Sequence, residues 1–150
     1  MVHSKKELFY KSLDVVNQKI KTYQEKMETL RESMDANDVH TDYDEEGNKG
    51  QILGDFEKYA VSLDNAQKLK QKLNSVDRDH YSEQIQFGSA IETRDHYYFI
   101  AGAIGEIRMD DGSKVHVIST EAPIFQQLEG KRKGDKFNIN GKEMEILDVH

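Results

Sequence analysis

With 150 residues, a net charge of −7, 33% charged residues and a mean hydropathy of −0.82, the chain suits one domain or two small ones and is polar for a single compact globule. It has no cysteine, which excludes a disulfide framework, a Cys-ligated zinc site and a thiol nucleophile. The negative balance argues against general affinity for nucleic acid, which relies on Lys and Arg neutralising phosphate.

No apolar run approaches the ~20 residues of a membrane span. The opening Met1-Val2-His3-Ser4-Lys5-Lys6 lacks the apolar stretch of a secretory signal. A cytoplasmic monomer with no membrane partner is the expectation.

The first segment, Lys5 to Ala36, reads as one long helix. Phe9, Leu13, Val16, Ile20, Tyr23, Met27, Leu30 and Met34 alternate spacings of four and three, a heptad seam without Gly or Pro. At 1.5 Å per residue, about 30 residues make a rod on the order of 45 Å long. A seam this narrow wants one partner helix, and a candidate follows Gly50. Ile52, Phe56, Tyr59, Leu63 and Ala66 repeat the alternation, and Leu69, Leu73 and Val76 extend it with a shift of phase. Between the seams lies a polar stretch ending Gly47-Asn48-Lys49-Gly50, rich in residues that permit turns. The simplest assembly is an antiparallel helical hairpin over residues 1–83, its tip near residues 35–50.

That tip is acidic. Asp35, Asp38, Asp42, Asp44, Glu45 and Glu46 cluster there, and no Lys or Arg stands between Arg31 and Lys49. Like charges crowded at one end of a rod repel each other, and the fold has no need of them. They can serve a metal or a basic pocket. A calcium loop is one candidate, with Asp42, Asp44 and Glu46 at positions one, three and five and Gly47 at six. Position twelve, which should be a bidentate Glu, is Leu53, so the calcium pattern fails.

From Ile85 the pattern turns to short β-rich runs. Tyr97-Tyr98-Phe99-Ile100 is one, and Lys114-Val115-His116-Val117-Ile118 alternates clearly. Asp110-Asp111-Gly112 and Asn140-Gly141 are hairpin signals. A short helix fits Ala122 to Leu128, with the single proline, Pro123, in its first turn. The expected fold is therefore α+β: the helical hairpin, then a small antiparallel β domain with one short helix over residues 84–150. The six histidines are dispersed, and no HExxH, GxSxG, Walker A or GxGxxG motif occurs. Gly130-Lys131-Arg132-Lys133-Gly134 reads as a solvated basic turn.

Taken together, these features resemble the Gre-type transcription elongation factors (GreA/GreB-like). The strongest local match is Glu121-Ala122-Pro123-Ile124-Phe125-Gln126-Gln127-Leu128-Glu129-Gly130-Lys131 through Gly134-Asp135, similar to the family's Ser-Pro-hydrophobic…Leu-hydrophobic-Gly-Lys…Gly-Asp segment. Asn140-Gly141-Lys142-Glu143-Met144-Glu145-Ile146-Leu147 resembles its final hairpin, and Phe87-Gly88-Ser89 the opening of its C-terminal domain. The resemblance implies an FKBP-like C-terminal domain. It also implies a partner, RNA polymerase, docked through Glu121, Ala122 and Pro123 at the rim of its secondary channel. The hairpin would reach down that channel, with RNA met only indirectly inside the elongation complex.

On this resemblance, tip carboxylates among Asp42, Asp44, Glu45 and Glu46 would assist the polymerase in hydrolysing backtracked RNA. Asp42 and Glu45 would help hold a Mg²⁺ shared with the polymerase. The protein would have no cofactor of its own and would be an accessory factor, not an enzyme. The sequence also departs from the family. Asp42 and Glu45 keep the Asp-x-x-Glu spacing, but Glu46-Gly47-Asn48 follows where the family has Asn-Ala-Glu-Tyr, and Ala122 replaces the usual Ser. A channel-binding inhibitor without cleavage activity is one alternative, and a coiled-coil adaptor for a basic partner protein is another. Prolyl isomerase activity is disfavoured, because such pockets are typically floored by Trp and this chain has none.

Overall fold

The computed structural model describes residues 3–38 and 45–150. Two long helices come first: α1 (Lys5–Asp38) and α2 (Glu45–Asn74). Ser4 caps α1. Its Oγ accepts the Glu7 amide at 3.1 Å and its carbonyl accepts the Leu8 amide, which satisfies donors that have no partner within the helix.

The heptad residues of both helices are buried or half-buried, whereas Leu53 and Val61, off the seam, are 48% and 62% exposed. Facing side chains join the helices as an antiparallel pair. The Tyr23 and Tyr59 rings lie 6.2 Å apart, and the Lys26 ammonium sits 5.2 Å above the Tyr59 ring. The sequence places the start of α2 after Gly50; in the structure Glu45 already opens it, so Gly47, Asn48 and Gly50 are helical. Gly costs ~1 kcal/mol in a helix interior, and packing of the long seam outweighs that.

Seven strands follow: β1 (Ala90–Glu92), β2 (His96–Ile100), β3 (Gly105–Arg108), β4 (Lys114–Ile118), β5 (Lys136–Ile139), β6 (Lys142–Glu145) and β7 (Asp148–Val149), with α3 (Pro123–Leu128) between β4 and β5. Five of them form one sheet in the order β3-β4-β2-β1-β7, and β5 pairs with β6 alone. The pairings are antiparallel except β2 with β4, which run parallel with Tyr97 opposite Val115 and Phe99 opposite Val117. Both hairpins marked by the sequence are present. Asn140 (φ 51°) and Gly141 (φ 80°) make the β5–β6 turn in the left-handed region that Asn and Gly tolerate.

Residues 97–100 of β2 are all buried. Successive side chains of a strand point to opposite faces, so a continuous buried run means that both faces are covered. Tyr98 and Ile100 join Phe125 and Leu128 of α3 with Ile85, Ile91, Phe137 and Ile146 in the main core.

The chain divides into two compact units. One comprises Met1–Val15 with Leu69–His150, and the other Val16–Lys68. In the first, Leu8 and Phe9 are fully buried. The Arg78 guanidinium stacks 4.4 Å from the Phe9 ring, and Lys5 donates from Nζ to the His80 carbonyl at 2.8 Å. Burial pushes the Lys5 pKa down, partly offset by the charge of Asp77.

Candidate functional site

Two places in the chain carry the candidate residues. At the first, Asp42 and Asp44 lie outside the described residues. Glu45 and Glu46 are the first two residues of α2, with their side chains outside the described ones. Carboxylates at a helix N-terminus are favoured by the helix dipole. The end of α1 is the opposite case: Asp35 is exposed, Asp38 is the last helical residue, and the last turn has no basic residue. There the dipole disfavours acids, so helix stability does not explain their presence. An EF-hand is ruled out by the backbone as well as by Leu53, because nine of the twelve would-be loop positions, from Glu45 onward, belong to α2. Among the described residues, no three His, Asp or Glu side chains converge on a possible metal position.

The second place is the start of α3. Glu121 and Pro123 are exposed and Ala122 is half-buried. Ala122 occupies the N-cap with extended backbone (φ −64°, ψ 138°) and supplies no side-chain acceptor, while Pro123 takes the first helical position. The chain enters the helix through a turn in which Ser119 Oγ accepts the Glu121 amide at 3.2 Å and the Ser119 carbonyl accepts that of Ala122. Phe125 and Leu128 anchor α3 in the core, so the exposed residues before it are held on a fixed support.

Beside Pro123, Ile124 forms one wall of an open cleft of about 440 Å³. Ile118, Ile139 and Met144 continue the apolar lining, and Tyr98, His96 and His116 form an aromatic floor. Tyr98 and His116 stack with ring centroids 5.2 Å apart, and His96 meets His116 edge-on at 5.0 Å. Burial pushes the His116 pKa down and the neighbouring His96 pushes it further. Burial also pushes the Tyr98 pKa up. Both rings are thus kept neutral around pH 7, which suits the cleft to apolar contact.

The sequence reading named α3's first turn but missed this cleft. Its walls come from β2, β4, α3, β5 and β6, and no local signal brings those five elements together. Tyr97, Phe99, Phe125 and Phe137 are all buried.

No family model matches the chain, and no curated protein does. Among solved structures it is similar to the transcription factor Gfh1, at 18% identity and a TM-score of 0.35, over 95% of this chain and 92% of that one. A second similar structure is the GreA factor homolog 1 (Gfh1) of Thermus thermophilus, with the same identity and TM-score, over 95% of this chain and 94% of the other. The likeness is loose. At that TM-score it carries no inference about fold or function.

Proposed function

We propose that this protein binds RNA polymerase as a Gre-type accessory factor and stimulates cleavage of backtracked transcripts through the acidic connection between α1 and α2. One combination carries the reading: a long antiparallel helix pair whose connecting region holds six clustered carboxylates, followed by a small β domain. The segment from Glu121 to Asp135 and the Asn140-Gly141 hairpin, in family order, add to it. Glu121, Ala122 and Pro123 dock on the polymerase, with the apolar cleft beside them accepting a partner side chain. A 34-residue helix such as α1 is on the order of 50 Å long, enough to carry a carboxylate deep into a partner's channel.

The donor set fits a Mg²⁺ shared with the polymerase, since this ion takes carboxylate oxygen and keeps several waters. Such an ion, when bound, stabilises charge on the attacking and leaving oxygens of an in-line displacement. Asp42 and Glu45 would help hold it from this side. Asp44 and Glu46 would join them in assisting the polymerase.

The test incubates stalled, backtracked elongation complexes with the protein. RNA shortening should appear with the wild type and fall about tenfold or more in Asp42→Asn, Asp44→Asn or Glu45→Gln. A tenfold loss corresponds to ~1.4 kcal/mol of transition-state stabilisation. Binding without cleavage would replace this reading with channel inhibition. Absence of binding would favour an adaptor, which would tolerate single neutralising changes because only net charge would matter.

A further inference from the structure

His3 precedes α1, and its ring lies between that helix and the β3–β4 turn. Nδ1 is 2.9 Å from Oε2 of Glu7, and Nε2 is 2.7 Å from Oδ2 of Asp111. Tyr97 of β2 meets the ring edge-on at 5.3 Å, and only 12% of the His3 side chain is exposed. Each ring nitrogen therefore faces a carboxylate oxygen. A neutral imidazole has one N–H and one lone pair, so it can donate to only one of them. Its other nitrogen would point a lone pair at an acceptor. Both contacts are hydrogen bonds only when the ring is an imidazolium.

We infer that His3 is a proton-operated latch, which ties the first turn of α1 to the β3–β4 turn while its ring is cationic and releases that tie when the ring is neutral. The surroundings favour the cation. From α1, Glu7 and Asp14 face the ring's pocket with Lys6, Lys11 and Tyr10, and from the turn Asp110 and Asp111 face it. Four carboxylates thus meet two ammonium groups. The Glu7 hydrogen bond, with the hydrogen bond and charge of Asp111 behind it, outweighs the opposing effect of burial and raises the His3 pKa above 6.5. Asp111 is held ionised down to about pH 2, chiefly by hydrogen bonds from the Ser113 backbone and side chain. Beside the latch, Lys11 Nζ meets Asp110 Oδ1 at 3.2 Å, a second contact between α1 and the same turn.

The sign follows from linkage. A group whose pKa is raised by folding contributes in full below its unfolded value, near 6.5 for His, and loses that contribution as pH climbs through the raised value. The latch is shut in mildly acidic solution and opens as pH climbs through the raised value. It uses neither the acidic connection nor the start of α3, so it does not depend on the polymerase reading.

Two NMR measurements on the full chain test it. Imidazole nitrogen shifts of His3 should report both nitrogens protonated at pH 6. The midpoint should lie above 6.5 and fall back toward that value in Glu7→Gln/Asp111→Asn. Amide-exchange protection of Leu8 and of residues 110–113 should drop roughly fivefold across the same midpoint in the wild type. In His3→Gln it should stay flat with pH. A wild-type midpoint at or below 6.5, an unchanged midpoint in the double variant, or exchange protection indifferent to the titration would each overturn the latch.

Discussion

Ala122 shows how much one missing oxygen can matter at a helix start. Its backbone is already in the N-cap conformation, and the Phe125 amide bonds its carbonyl at 3.0 Å, but no side chain takes the next free N–H. Ala122→Ser should supply that acceptor and stabilise the first compact unit by about 1 kcal/mol, read as a higher urea midpoint. No gain would mean that the Ser hydroxyl is diverted elsewhere. This position was legible in the sequence, because Pro123 has no N–H to satisfy and its fixed φ suits a first helical turn. The His3 contacts were not legible. Asp111 is 108 residues away, and only the folded sheet brings its carboxylate to the ring.

Among the elements, α2 departs most from what its sequence suggests. A run containing Gly47, Asn48 and Gly50 reads as a turn by local preference, yet it is helical because the seam from Ile52 onward is long enough to extend backward over poor helix formers. Gly54 lies within the same helix without positive φ, and a Cβ added there would meet no atom within 4 Å. Gly54→Ala should therefore stabilise α2 by about 0.5–1 kcal/mol, mostly by restricting the unfolded chain. Chemical denaturation followed by helical circular dichroism would detect the gain, and an unchanged or lowered midpoint would mean that Gly54 has a role other than helix formation. The seams themselves were readable from spacing alone. The parallel pairing of β2 with β4 was not, since turn signals report only strands adjacent along the chain, and β3 intervenes between these two.

At the scale of the whole molecule, the change from helical to β patterning near residue 84 announced the α+β class, and the long apolar spacings announced the helix pair. What local patterning could not announce is that the compact unit holding the sheet is assembled from both ends of the chain, Met1–Val15 and Leu69–His150. That assembly gives the protein a tolerance its sequence does not advertise. If the chain is severed between residues 40 and 43, each piece carries part of the same compact unit: the buried Leu8 and Phe9 on one side, Tyr97 and the sheet on the other, with the exposed Arg78 stacked on the Phe9 ring. The two pieces, expressed separately and mixed, should associate and travel as one species in size-exclusion chromatography. Replacing Leu8 and Phe9 with Ala should abolish that association, because each buried apolar truncation costs about 2–5 kcal/mol. If the wild-type pieces do associate, covalent continuity at the acidic connection is not what holds them together, and its length can change without loss of the first compact unit, whatever that does to activity.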